Sequence, residues 1–537
     1  MIAATSDLLR GRGAFRATHV GALALCVVML PWSKAFVSIA QLMLVVNWLA
    51  EGVVHKDLKA RFQRAFCQVP SVLFIGFFLL HVLGLAWTTD LDWGVDLVRI
   101  LLPVLAFGAV LAASPRLHPN EFRAVLLLGA WSAVVSTIAS LVAQDGHTTD
   151  YRALSVFISH IRLTLLLCMA VVVFVLDRGG PSWLRIAGHV AGLWALFFID
   201  RLGSIQGYVI LLVVAVVFVR RWATARGGPL AKVLQVLLVA VPVLLTLLVW
   251  NEVCTRFHTP DPAIIGKFEH TAGGEQYLHD VQATQMENGH HVWMYVAPGE
   301  LERGWARRGT RAYQADDDKG HPIWSTLVRY MASKGLRKDS VGLASLNDAD
   351  IQAIERGITN ADPGRWGGLH ARFDEVVLEL QQYRTKGVAD GHSVAMRIEY
   401  LKVGWRIARS NVLIGVGTGD TERAFKEEYE RSASMLSTEW RHRAHNEYLT
   451  LWISFGVLGL CFALYTWWYP AWRLGACKRP LFLAWAIIFG ISCLTDDTIE
   501  TQVGATFFAL YYTLLVFAAP TVKEGGSLAA GPARALV

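Results

Sequence analysis

Pro70-Ser-Val-Leu-Phe-Ile-Gly-Phe-Phe-Leu-Leu-His-Val-Leu-Gly-Leu-Ala-Trp-Thr88 runs without an aspartate, glutamate, lysine or arginine. A helix of about 20 apolar residues crosses the hydrocarbon core of a bilayer, so this stretch reads as a membrane span. Its flanks orient it. Lys56, Lys59, Arg61 and Arg64 precede it, and Asp90 and Asp92 follow it. Lys and Arg in short loops stay on the cytoplasmic side, which puts the N-terminal end of the span in the cytoplasm.

The same pattern continues outward. Further spans fall near 18–33, 35–50, 95–113, 122–143, 155–176, 184–199, 204–219 and 229–249, then near 447–469, 481–495 and 504–519. Basic connections recur at Arg178 and Arg185, at Arg220, Arg221 and Arg226, and at Arg473, Lys478 and Arg479. Acidic connections alternate with them at Asp145 and Asp150, and at Asp496, Asp497 and Glu500. The reading is an all-α polytopic membrane protein of about twelve spans with both termini cytoplasmic. Residues 1–250 form an N-terminal bundle of about nine helices, and 447–519 add about three more. Between them, 251–446 form a periplasmic loop domain, and 520–537 are a cytoplasmic tail rich in Gly and Ala.

Composition agrees. Of 537 residues 54% are hydrophobic and 17% charged, against about 25% charged in soluble domains, and mean hydropathy is +0.39. The net charge of +7 belongs to the cytoplasmic loops, which excludes a nucleic-acid partner and makes the bilayer the partner. Seven cysteines without a CxxC, with only Cys254 in the polar insert, argue against disulfides or a zinc site. Arg10, Arg12 and Arg16 before the Val20–Leu30 run imitate a signal peptide, but a second apolar stretch, Phe36–Leu49, follows at once. A retained helical hairpin is expected.

The insert reads as helical pieces at Ile323–Lys334, Asp348–Ile358, Arg365–Tyr383 and Ala395–Arg409. In the last, Ile398, Leu401, Trp405 and Ala408 recur at helical spacing, giving an amphipathic helix along the membrane surface. Gly415-Val-Gly-Thr-Gly419 lacks the strand and helix of a nucleotide loop and reads as a turn closing that helix.

Fixed charge against hydrocarbon is costly and marks function. His160 and Arg162 stand at the periplasmic entry of the sixth span, Arg201 between two short apolar segments, and Arg397 on the amphipathic helix. Arginines gathered at one leaflet suit an anion held in bidentate fashion, such as a diphosphate. The plainer alternative has Arg162 and Arg201 reaching headgroups, or pairing with Asp200 or Glu500. Arg441-His-Arg-Ala-His-Asn-Glu-Tyr-Leu449 sets His442, His445 and Asn446 at the mouth of the tenth span. A neutral His445 there would serve as a general base; the alternative is a headgroup contact or a helix cap. Asp496-Asp497 is too small an acidic group to assign a metal.

The block from His392 to Leu460 resembles the O-antigen ligase-related family, which also contains O-antigen polymerases and protein O-oligosaccharyltransferases. Arg397, Gly415–Asp420, His445-Asn-Glu-Tyr-Leu449 and Phe455-Gly-Val-Leu-Gly-Leu460 carry the resemblance. Arg201 in Asp-Arg-Leu-Gly203 is similar to the family's Ser-Arg-x-Gly signature, with Asp200 in place of Ser. Asp496-Asp-Thr-Ile-Glu-Thr-Gln502, Thr506-Phe-Phe508, Met286-Glu-Asn-Gly289, Glu300-Leu-Glu-Arg-Gly-Trp305 and Leu327-Val-Arg-Tyr330 are similar to a branch typical of Bacteroidota.

The resemblance implies a GT-C-like bundle in the inner membrane that serves lipopolysaccharide biosynthesis. The implied donor is a glycan on undecaprenyl diphosphate and the implied acceptor lipid A-core or another glycan. It makes His445 the general base and Arg201 and Arg397 diphosphate ligands, with Arg162 and His160 as further members. No cofactor or metal is expected, because the first periplasmic loop is only Pro31-Trp-Ser-Lys34, where metal-dependent relatives of this architecture carry acids. Ligase is the first reading. Polymerase and protein oligosaccharyltransferase share the donor, and a glycolipid flippase would need a charged groove through both leaflets.

Overall fold

The fold is known from a computed structural model that describes residues 2–143, 154–229, 231–237, 270–281, 285–288, 290–361 and 389–521. Residues 2–12 are described for backbone only, and 240, 244, 247, 283, 376, 379, 380, 383 and 387 as isolated positions.

The protein is a nearly all-helical, polytopic membrane protein. Seven helices are long and apolar enough to cross a membrane: Lys34–Val54, Val69–Trp87, Leu91–Ala113, Pro119–Ala143, Ser182–Arg201, Ile205–Arg226 and Glu447–Arg473. Four shorter apolar helices, Gly13–Met29, His160–Leu176, Pro480–Thr495 and Gln502–Ala518, occupy the other stretches read as spans. Of the expected span near 229–249, residues 229, 231–237, 240, 244 and 247 are described and helical, while most of the helical piece Arg365–Tyr383 and the tail from Lys523 lie outside the described residues.

By contacts the chain forms two compact units, residues 1–238 with 397–537, and residues 239–396. In the first, sequence-distant helices interleave. Val69–Leu83 packs on Glu447–Arg473, and Leu102–Ala113 on Gln502–Thr513. Pro480–Thr495 packs against both His160–Leu176 and Ile205–Arg226. The Gln502–Thr513 helix is buried from Val503 onward, so the last helix of the chain is the centre of the bundle. Offset aromatic pairs fill that centre: Phe74 on Tyr512 at 4.5 Å between ring centroids, and Phe489 on Phe508 at 4.8 Å.

The Glu447–Arg473 helix is broken at Gly456, where φ is 67° and ψ −176°. The break frees carbonyls that an unbroken helix would use itself, and the glycine turn takes them. Val416 N–H donates to Ile453 O at 2.8 Å, Gly417 N–H to Ser454 O at 2.9 Å, and Val457 N–H to Val412 O at 2.7 Å. A Cβ on Gly456 would stand 2.1 Å from the Leu413 carbonyl, and one on Gly415 2.4 Å from Ser454 C. The turn read as closing the amphipathic helix, which ends at Ser410, is therefore also a backbone clamp on a neighbouring span.

The second unit has its own core, built on Trp305, Leu301, Ile323, Leu327, Met331 and Ile354. Helices Pro298–Trp305, Ile323–Ser333, Ser340–Ala344 and Asp348–Glu355 surround it, the last opened by an Asn347/Asp350 capping box. A hairpin pairs Met286 with His291.

Candidate active site

Residues 442–450 and 496–501 face each other because the helices they open and close lie side by side. Asn446 is the N-cap of Glu447–Arg473: its Oδ1 accepts from Leu449 N–H at 3.0 Å, while its Nδ2 donates to Leu494 O at 3.0 Å. Asn446 thus caps one helix and ties it to the end of Pro480–Thr495. Tyr448 Oη donates to Gly490 O at 3.1 Å, and Thr450 Oγ1 to Asp497 Oδ1 at 2.8 Å. The buried Glu447 accepts from Ile499 N–H at 2.9 Å. The 496–501 loop is held on every side.

Into this frame the backbone turns His445 with φ at 47°, a left-handed conformation that a non-glycine residue adopts only when its surroundings impose it. Its Nδ1 lies 3.6 Å from Asp496 Oδ1, and its side chain is 38% exposed against 11% for Asp496. The imidazole therefore has its back to a buried carboxylate and its front open. Its ring packs 5.6 Å from Tyr400, which anchors through Oη to Trp440 O at 2.7 Å. His442, 6.3 Å away ring to ring, is exposed, and partial burial and His445 both push its imidazole below the ordinary value.

Asp496 is fixed from behind by Arg162. That arginine is buried, ion-pairs with the Asp496 carboxylate, and donates from Nε to Thr501 Oγ1 at 3.0 Å and from Nη2 to the Asp497 carbonyl at 3.2 Å. Burial by itself raises the Asp496 carboxyl, but His445 and Arg162 outweigh it and hold it at about 2. A second pair, Arg443 with Glu500, stands beside the first, with the Arg443 guanidinium 5.4 Å from the Trp93 ring. Burial and the Asp497 charge push the Glu500 carboxyl up to about 7, against the pull of Arg443. Next to this pair a small cavity of about 10 Å³, lined by His81, Glu447, Glu500, Thr418 and Thr450, is the size of one water.

The other sequence-derived residues take these places. His160 begins the helix that carries Arg162. Arg201 ends its helix exposed, with neither hydrogen bond nor ion pair among the described residues. Asp200 bonds Tyr208 and Glu500 bonds Arg443, so neither acid suggested as an arginine partner takes Arg201 or Arg162. Arg162 opens its helix and Arg201 closes its own, and the two lie at the same end of the bundle, because Gly207 packs against both Ile199 and Thr164. Arg397 is half-buried, three residues before Tyr400 and so on the same face of the helix. His445, Asp496, Arg162 and Tyr400 are brought together outright.

Sequence reasoning passed over Asp496 as anything but a weak metal ligand. Nothing local marks a carboxylate that meets a histidine fifty-odd residues earlier in the chain. Among the described residues no group of three or more His, Cys, Asp or Glu is arranged to hold a metal.

A family model described as O-Antigen ligase matches residues 361–464. Over that segment the chain is similar to the O-antigen ligase family. The matched segment contains Arg397, the glycine turn, His445 and Asn446, while Arg162, Arg201 and Asp496 lie outside it. No curated protein matches the chain. The match supports a membrane enzyme family of the O-antigen ligase or polymerase type.

Proposed function

We propose that the protein is an inner-membrane O-antigen ligase that moves a glycan from undecaprenyl diphosphate to a lipid A-core or similar acceptor at the periplasmic face. The observation that carries this reading is His445, open on one side and backed by the Arg162-held Asp496. A carboxylate behind Nδ1 orients the ring and leaves Nε2 for the substrate, and it stabilises the imidazolium once a proton arrives.

In the proposed reaction an acceptor hydroxyl attacks the anomeric carbon of the donor while Nε2 of His445 takes its proton. The bond to the lipid diphosphate breaks as the new glycosidic bond forms, and a single displacement inverts the anomeric centre. Charge grows on the departing diphosphate, where Arg201 and Arg397 act as preorganised cations. Arg162, read from sequence as a further member of the diphosphate site, is instead proposed to act through Asp496, because its guanidinium is buried against that carboxylate. His160 remains a proposed site member at the same end of the bundle.

Deletion of the gene followed by gel analysis of surface glycolipid tests the reading. Loss of every ladder band, with lipid-linked glycan accumulating, is the expected result. A single-repeat band would assign the chain to the polymerases, and an unchanged ladder would remove it from both.

A further inference from the structure

Three arginines are buried among the described residues: Arg61, Arg162 and Arg479. Two are paired with acids, Arg61 with Asp57 and Glu51, and Arg162 with Asp496. Arg479 is the exception. It is 7% exposed, its Nη1 donates to the Leu515 carbonyl at 3.1 Å, and its Nε is buried with no hydrogen-bond partner. The charged group that acts on it is another arginine, Arg116, and burial and that like charge both press its pKa below the ordinary value.

The acid in this neighbourhood is already engaged. Glu121 ion-pairs with Arg16 and accepts from His118 N–H at 2.8 Å. Arg16 also donates to the Arg116 carbonyl at 3.0 Å, and Arg221 to the Lys478 carbonyl at 3.3 Å, so Arg221 adds a further cation here. Arg479 is itself the N-cap residue of the 16-residue helix Pro480–Thr495, which has no side-chain cap. The positive end of that helix adds to the same field. Arg479 and the chain beside Arg116 meet on the same Leu514–Ala518 segment, since Leu117 N–H donates to the Ala518 carbonyl at 2.9 Å as Arg479 does to that of Leu515, and a buried guanidinium there, at an uncapped helix start, is complementary to an anion with several acceptor oxygens.

We propose that Arg116, Arg479 and the start of the Pro480–Thr495 helix bind a phosphate group at the end of the bundle remote from His445. The helix alone separates the two places by about 24 Å. The phosphate comes either from an anionic phospholipid headgroup or from a soluble phosphate. Both offer the oxygens that the arginines lack, and the position at a helix end beside the bilayer favours the lipid.

The test uses the full chain, purified in non-ionic detergent and stripped of lipid. Its Tm is measured with phosphatidylglycerol, with phosphatidylcholine and with inorganic phosphate, for the native protein and for Arg116→Gln and Arg479→Gln. Phosphatidylglycerol, and not phosphatidylcholine, is expected to raise the native Tm, and both substitutions to abolish the shift. A shift from inorganic phosphate that Arg116→Gln abolishes would confirm the site with a soluble occupant. Arg116 is half-exposed, so Arg116→Gln carries the test if Arg479→Gln does not fold. Equal shifts from both phospholipids, or a shift undiminished in Arg116→Gln, would overturn the proposal.

Discussion

At the scale of single residues, His445 stands at the junction of two demands. Its backbone is left-handed at φ 47°, which costs on the order of 1–3 kcal/mol, and the Asn446 cap and the Asp496 carboxylate hold it there. If the imidazole is a base, His445→Ala lowers turnover by roughly 10²–10⁴-fold while donor binding is retained, and exposed His442→Ala is much milder. Single-turnover rates alongside donor-binding measurements separate these, and a well-folded His445→Ala with near-native turnover would end the assignment. Asp496→Asn keeps the shape of the site but removes the charge behind Nδ1. It is expected to cost turnover on the order of 10²-fold without loss of donor affinity. Arg397→Lys preserves charge and loses the bidentate fork, so weakened donor binding is expected where a simple charge requirement would tolerate it.

Elements act here through their ends and breaks. Gly456 sits in a region of φ/ψ that only glycine occupies readily, and the Leu413 carbonyl fills the place of its Cβ. Gly456→Ala is expected to cost about 3 kcal/mol or more and to appear as loss of the monodisperse peak in size-exclusion chromatography. A native-like profile would mean that the clamp between the glycine turn and the span yields easily. The 496–501 loop supplies a pH signature. Glu500 is raised from its ordinary 4.5 to about 7, so the folded state holds its proton longer than the unfolded chain does. Stability should therefore fall as pH rises from about 5 to about 7, and Glu500→Gln should flatten that slope. Melting curves across this range check it, and a flat native profile would show the carboxylate ionised throughout.

For the whole molecule, the alternation of basic and acidic loops predicts residues 251–446 outside and both termini inside. A phosphatase reporter fused near Gly289 is expected to be active, and one fused after Lys523 inactive; the reverse pattern would overturn the placement of the site. The apolar runs were legible because a span is a local property. Some 20 residues with few charges state it without reference to any neighbour, and the described apolar helices overlap their sequence readings, although the one read near 18–33 runs from Ile2 to Met29 and the one read near 204–219 continues to Arg226. The residue types of the site were legible too, since a histidine at a helix mouth and arginines beside hydrocarbon stand out from their own surroundings.

What the sequence by itself determined, then, was a many-span helical protein, the polar insert, and His445, Arg201 and Arg397 as the residues to consider. Tertiary structure decided which charges are already spent. Arg162 pairs with Asp496 across more than three hundred residues, Arg443 with Glu500, and Asp420 accepts from Thr89 and Asp90 N–H at 2.9 Å each. Tertiary structure also put the last helix at the centre of the bundle and opened Gly456 to the glycine turn. The physical reason is range. Hydropathy and helical periodicity act between neighbours in the chain, whereas ion pairs and backbone clamps form between whatever surfaces packing brings together, and no local pattern names the partner.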